Sequence, residues 1–161
     1  MIIMLDDPLR RVRAVADYQF GVGVGKRLFP DNVEFSYSKS TGRIRYINLN
    51  GERLATLRPT DGFLSLSITA ATFLAKNAKN IFRYFVNVRQ DVSEFVARGG
   101  DVFALHVVSA SDDVRARDEV IVLDQKGDLL AVGRALLSSS EMTAFKTGVA
   151  VRVRHGSRPE H

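Results

Sequence analysis

There is no cysteine among the 161 residues of this chain. That excludes disulfides, thiolate metal sites and cysteine nucleophiles, and an unstapled fold fits a reducing compartment. Histidine is scarce as well: His106, His155 and His161 stand apart, with no metal-ligand spacing. Long apolar runs are also missing. Met1 to Leu5 is apolar but stops at Asp6-Asp7, far short of a signal-peptide core or a membrane span. The expectation is a soluble, cytoplasmic protein with no membrane partner. Ser138-Ser139-Ser140 lacks a nucleophile-elbow setting and reads as helix capping, and Asp112-Asp113 reads as a solvated loop rather than an acid–base pair. The sequence therefore predicts no catalytic residue, no metal and no cofactor for the chain by itself.

The glycine run Phe20-Gly21-Val22-Gly23-Val24-Gly25-Lys26 fails as a nucleotide loop. A Walker loop needs a glycine where Phe20 stands and a hydroxyl residue where Arg27 stands. A G-x-G-x-x-G fingerprint needs glycine at Lys26 in one register or at Leu28 in the other. These glycines instead read as a place where the chain packs tightly while turning towards Leu28-Phe29-Pro30.

What is present is ordinary globular composition, 45% apolar and 25% charged, in a length that suits one domain or two small ones. The net charge is +5. Residues 1–80 hold 12 Lys/Arg against 7 Asp/Glu, and residues 81–161 hold 11 against 11. The second half is polarised, with acids in 112–128 and four bases without an acid in 146–158. A basic surface split between the first half and the final segment suggests an anionic partner touching both. On charge alone, a solvated and mildly basic surface is the simpler account of the two.

Along the chain, Asp7 and Pro8 open a helix with Leu9, Val12 and Ala16 on one face. Four short strands follow: Val33–Tyr37, a strand through Ile44 and Tyr46, Leu54–Leu57, and an alternating run through Leu64, Leu66 and Ile68. Between them lie turn signals at Thr41-Gly42, Asn50-Gly51 and Asp61-Gly62. Ala70–Ala78 reads as a helix burying Phe73 and Leu74. A polar stretch at 77–80 then marks a boundary before a strand begins at Ile81. Asp91 is placed to cap a short helix through Phe95 and Val96, which Arg98-Gly99-Gly100 ends. Val102–Val108 reads as a buried strand with His106 as a core histidine, and 109–117 as a polar loop leading to Asp118-Glu119. Val120–Leu123 is a buried strand, Gln125-Lys126-Gly127 a reversal, and Leu129–Leu137 a strand whose Gly133 marks a bulge or a close backbone approach. Ser138 and Glu141 have capping-box spacing for a helix with Met142 and Phe145 on one face. In the last strand Val149, Val151 and Val153 point inward. Arg152 and Arg154 then project from the other face, free of packing duty.

The run GDLLAVGRALLSSSEMTAFKTGVAVRVRHG resembles the end of a PUA domain, in the version found in archaeal tRNA-guanine transglycosylases. Phe95 to Ala104 falls where such domains carry a glycine loop between a helix and a strand. Upstream, DYQFGVGVGKRLFP and STGRIRYINLNGERLATLRPTDGFLSLS are similar to the accessory domain preceding PUA in archaeosine transglycosylases. The resemblance covers nearly the whole chain but not the family's catalytic barrel, whose aspartate nucleophile and cysteine-ligated zinc have no counterpart in these residues.

The resulting expectation is an α+β chain. An N-terminal helix and antiparallel sheet form an accessory domain over 1–79, and a small mixed β-barrel of PUA type follows over 80–161. The resemblance implies an RNA-binding accessory protein in tRNA modification, non-catalytic alone, with tRNA or another structured RNA as its ligand. The alternative is a subunit of a split transglycosylase or archaeosine-synthesis enzyme, completed by a transglycosylase-like catalytic partner chain. Candidate RNA contacts are Arg98, Gly99, Gly100, Asp101, Lys146, Arg152, Arg154 and His155. The bland account of the glycines is a helix stop, and His155 is either a phosphate contact or simply solvated. A protein-interaction or small-ligand module is a third, weaker reading.

Overall fold

The computed structural model describes residues 7–159. Helix α1 (Pro8–Phe20) starts as expected: the Asp7 side chain accepts from the Arg10 N–H and Pro8 occupies the first turn. Val12, Ala16 and Phe20 form its buried stripe. The glycine run then makes a corner that includes a one-turn helix, α2 (Val24–Leu28), which the sequence reading left out. Asp17 holds that corner by accepting from the backbone N–H groups of Gly23 (3.2 Å) and Gly25 (2.7 Å). A Cβ on Gly25 would lie 2.2 Å from the Arg13 carbonyl oxygen, so α1 and α2 meet backbone to backbone. The run is a packing device, as expected.

Strands β1 (Glu34–Tyr37), β2 (Ile44–Leu49), β3 (Glu52–Leu57) and β4 (Leu64–Leu66) form one antiparallel sheet in sequence order. The Asn50-Gly51 turn joins β2 to β3 with both residues in the left-handed region, as a tight hairpin requires. The alternation read through Ile68 stops at Leu66. Ser67 accepts from the Ala70 N–H and starts α3 (Ile68–Asn77) earlier than expected, because capping satisfies free helix N–H groups that a continuing strand would not present. Leu74 is buried on α3, but Phe73 is exposed and does not join the core.

After an irregular stretch, β5 (Phe85–Val88) begins later than Ile81. Next come α4 (Ser93–Ala97), β6 (Val102–Phe103), β7 (Val107–Ala110), β8 (Glu119–Leu123), β9 (Leu129–Ala135), α5 (Ser139–Ala144) and β10 (Val149–Gly156). Their sheet order is β6-β10-β9-β8-β5-β7, with β5 and β8 parallel and every other pair antiparallel. This mixed, six-stranded sheet curls into a nearly closed barrel, so the α+β architecture is the one expected. The capping box is present in full at Ser138 and Glu141. Met142 is buried, whereas Phe145 lies beyond the helix and is exposed.

Two further expectations fail. Asp91 does not cap α4; it pairs with Arg89 (2.6 Å), inside a turn of 3-10 helix that precedes α4. Val102–Val108 is not one buried strand. A 3-10 turn at Ala104–His106 splits it, exposing Phe103, Leu105 and Val108 and leaving His106 half-buried against the edge of Phe103. The apolar composition misled because it serves an exposed sheet margin rather than a core.

Strand β8 is buried along its whole length, on both faces. Val120 and Val122 point into the barrel with Val86, Val88 and Ala131. Ile121 and Leu123 join Phe85 and Val132 in a second core that includes α1, α3 and the first sheet. Phe82 links them, its ring centroid 5.1 Å from Phe20 and 4.9 Å from Phe85. The wall of the barrel is thus also the floor of the first sheet's core.

Candidate nucleic-acid interface

The glycine loop is built against the end of β10. Helix α4 ends at Ala97, and Gly99 takes φ +111°, a conformation that favours glycine, with open space where a side chain would be. Its backbone is therefore uncovered by any side chain, although its N–H already donates to the Val96 carbonyl at 2.9 Å. Gly100 is covered by the Phe95 ring, 2.3 Å from where a Cβ would sit. Phe95 itself is half exposed, which places an aromatic face beside the bare backbone. The Asp101 carboxylate accepts the Val153 N–H at 2.9 Å, and an added Cβ on Gly156 would meet the Ala97 carbonyl at 2.2 Å. These contacts tie the loop to β10 at two points. Asp101 is thus a clamp on the loop through β10, with its carboxylate already occupied.

Arg98 pairs with Glu94 at 2.8 Å on the surface, and Arg158 reaches the same carboxylate at 3.2 Å. Such exposed pairs exchange readily for a phosphate, because they are worth little in water. His155 is exposed next to the loop end of β10. Lys146 is exposed before the other end of β10, roughly 25 Å away at the rise of a strand. The structure therefore packs the loop Arg98 to Asp101 on β10 at Val153 and Gly156, places His155 next to Gly156 in a groove shared with Arg53 and Ser67, and sets Lys146 apart.

Arg152 and Arg154 do not behave alike. Arg152 is exposed and lies across from Arg134 in the β9–β10 register. After Val153 the register slips by a bulge, which the backbone makes directly opposite Gly133: a Cβ on Gly133 would sit 2.2 Å from the Arg152 carbonyl. Beyond the bulge, Arg154 turns onto the first sheet. It donates to both carboxylate oxygens of Glu119, through Nη1 at 2.9 Å and through Nη2, and to the Leu66 carbonyl at 2.8 Å. The expectation that Arg154 is free of packing duty is wrong, because a buried carboxylate waits for it across the seam.

Glu119 is the residue that sequence reasoning missed. It was read with Asp118 as the end of a polar loop, yet it is the first residue of β8 and its side chain is fully buried. The signal lay in the strand period. Glu119 is in phase with Ile121 and Leu123, the two β8 residues that face the first sheet's core. An acid in that phase needs a cation, and Arg154 is the one that reaches it.

Around Arg152 the two sheets leave a groove of about 630 Å³, whose lining includes Arg58, Ser65, Arg117 and Arg134. Arg58 pairs with Asp61 at 3.0 Å. Burial works against the Asp61 charge, but the Phe63 N–H, Arg58 and the field of Arg134 together hold its pKa below the usual carboxylate value. Arg117 has φ +80° without being glycine, a strained conformation worth of order 1–3 kcal/mol. Among the described residues no three His, Asp or Glu side chains gather where a metal could be held, and no helix is long and apolar enough to cross a membrane.

Residues 10–80 match the patch-forming domain C2 of tRNA-guanine transglycosylase, and residues 84–157 match the PUA domain. The tRNA-guanine(15) transglycosylase of Methanobrevibacter smithii is 40% identical over 94% of this chain, and that of Pyrococcus abyssi 42% over 94%. The chain spans about a quarter of those relatives, 23% and 25% of their lengths. A hypothetical protein of Pyrococcus horikoshii has the same fold, with TM-score 0.74 at 24% identity over 94% of this chain and 91% of that one. A conserved PUA domain protein of Thermoplasma acidophilum gives 0.64 at 24% identity, over 96% and 93%.

Proposed function

From a chain that joins a patch-forming C2 domain to a PUA domain, in the manner of the C-terminal region of archaeal tRNA-guanine transglycosylases, we propose an RNA-binding module that acts in tRNA modification. The ligand is tRNA or another structured RNA, and the chain serves as the non-catalytic part of the reaction. The reading divides the chain into an accessory domain over 1–79 and an RNA-binding domain over 80–161. Support comes from the two family matches, which meet between residues 80 and 84.

The observation that carries the reading is the loop Arg98-Gly99-Gly100-Asp101. An uncovered glycine backbone and an exposed Phe95 stand together at one end of β10, with the exposed His155 one residue from the Gly156 contact. That combination suits an unpaired nucleotide: the base stacks on an aromatic face while cationic side chains take the phosphate, the Gly99 and Gly100 N–H groups being already spent on the Val96 and Phe95 carbonyls. Arg98 contributes by exchanging Glu94 for phosphate, and Lys146 adds a charge at the far end of the strand. Arg152 contributes from the opposite face of the barrel wall. Arg154 is withdrawn from the contact list because Glu119 holds it.

The test is binding of a tRNA transcript to the purified chain, followed by fluorescence anisotropy from low to physiological salt. Affinity falls steeply with salt as counterions are released by Lys/Arg–phosphate contacts. Absence of binding, or a constant indifferent to salt, overturns the reading.

A split enzyme is the second reading. It is favoured by one observation, that the matched relatives are about four times the length of this chain. On it, a separate transglycosylase-like chain supplies the reaction and this chain supplies the grip on tRNA. Pull-down from the native host separates the two: tRNA alone supports the first, and a catalytic chain that co-purifies after nuclease treatment supports the second.

A further inference from the structure

The groove between the two sheets holds more cationic charge than its ion pairs absorb. Arg58 and Arg154 are answered by Asp61 and Glu119. Arg117, Arg134 and Arg152 line the same groove and form no ion pair among the described residues. Arg134 and Arg152 are cross-strand neighbours on the outer face of the barrel, in register on β9 and β10. Like charges placed directly opposite on adjacent strands repel, and nothing in the packing requires either guanidinium, since both side chains are exposed. The remaining acid nearby, Asp118, lines the adjoining pocket with Arg117 and accepts the Arg115 N–H.

Arg117 adds an independent sign. Its backbone sits at φ +80°, where glycine or asparagine would be at ease. The conformation is held from the barrel side, because the Arg117 N–H donates to the Ala135 carbonyl at 2.7 Å. A residue kept in an unfavourable conformation at a cleft edge, and carrying an unneutralised guanidinium, is the pattern of a ligand clamp. The Arg154–Glu119 bridge closes one end of the groove and keeps the two walls at a fixed distance.

We propose that the seam between the C2 and PUA domains is a second RNA contact, in which Arg117, Arg134 and Arg152 bind phosphodiester groups of the RNA backbone. The inference rests on the RNA-binding reading and adds to it a site away from the glycine loop. Guanidinium is the group suited to the task, because its planar fork meets two phosphate oxygens at once. No aromatic side chain lines the groove, so it takes the charged backbone and offers no stacking face to a base. One RNA then touches both halves of the chain, at the glycine loop and at the seam.

The test uses the full chain with Arg117→Gly, Arg134→Gln and the double variant. Arg117→Gly removes the guanidinium and relieves the backbone, so the thermal midpoint holds or rises while tRNA affinity falls about three- to tenfold. The salt slope drops by about 1 for each single variant and about 2 for the double. A lowered midpoint in Arg117→Gly with unchanged affinity marks a structural residue and overturns the site. If the parent binds tRNA, and Lys146→Ala or Arg98→Ala weakens it while the double seam variant binds like the parent, the seam is wrong and the RNA-binding reading stands. If the parent binds no tRNA, both fall. An arm with inorganic phosphate followed by guanidinium NMR distinguishes a small-anion site. Saturation at low millimolar phosphate, with tRNA affinity indifferent to the variants, overturns the polymer contact.

Discussion

Arg154 and Glu119 lie 35 residues apart in the chain and meet as a two-pronged pair that grips Leu66 by both of its backbone groups. The Leu66 N–H donates to Glu119 Oε2 at 2.7 Å, and the Leu66 carbonyl accepts from Arg154 Nη2 at 2.8 Å. One cation, one anion and one residue of an edge strand thereby satisfy each other where two sheets join. Strand β4 would otherwise bury these polar groups unpaired.

Arg154→Ala removes the cation and leaves the buried Glu119 unanswered. Breaking such a pair costs about 3–5 kcal/mol, and because the Arg154 side chain is one-third exposed the expected loss lies at about 2–3 kcal/mol. Glu119→Gln combined with Arg154→Met should recover part of it. Urea denaturation of the two variants checks this, and an Arg154→Ala protein within 0.5 kcal/mol of the parent by the same measurement (about the noise of surface substitutions) would contradict the assignment.

Gly133→Ala should be costly despite its small size. The new methyl would meet the Arg152 carbonyl at 2.2 Å, and a strand backbone cannot step aside as a side chain can. Overpacking of this kind costs about 1–3 kcal/mol. The readout is a fall in thermal midpoint, together with faster amide exchange along β9 and β10. Parent-like values in both would mean that the bulge absorbs the methyl.

Asp118 gives the pH behaviour. Burial raises its pKa, and the Arg115 N–H and the Arg115 charge oppose that rise only in part. The folded chain therefore holds this proton to higher pH than the unfolded chain does. Its contribution favours the fold below the unfolded pKa and is lost as pH rises through the folded one. Asp118→Asn keeps an oxygen for the Arg115 N–H and deletes the charge. Stability at neutral pH should match or exceed that of the parent, and the stability profile should flatten across the acid range. Lower stability at neutral pH, measured by denaturant titration, argues instead that the charge is needed.

The Asp7 cap, the Asn50-Gly51 hairpin, the Ser138 capping box and the close approach at Gly133 were all legible in the sequence. Each is a local feature with a local physical cause. The errors share a different origin. Phe73, Phe103 and Leu105 read as core because apolar character suggests burial, yet all three are exposed. Glu119 read as loop because its partner is 35 residues away and across a seam. The site was legible in the same proportion. The glycine loop could be located from the sequence, but the sorting of Arg152 from Arg154 depends on one bulge, and Arg117 and Arg134 join the groove only through the fold.

Val151→Asp places a charge in the barrel interior, where Val151 is fully buried. Because β8 serves both cores, the loss should not stay on the barrel side. Hydrogen exchange should show α1 and α3 losing protection together with β8 and β10, in one cooperative step. Intact protection in α1 and α3 beside an unprotected barrel would mean that the shared wall does not couple the halves.

That shared wall makes the molecule a caliper rather than two beads on a string. Flexible tethers let paired modules search for their ligand, and each pays for alignment when it binds. Here the two proposed contacts, one at the glycine loop and one along the seam, are spaced by a strand that cannot shift without unmaking a core. On the proposed reading, an RNA whose phosphates fall at that spacing would meet a surface already aligned, because β8 belongs to both cores. On that reading, selectivity for RNA shape would follow from the stiffness of a single strand buried on both sides.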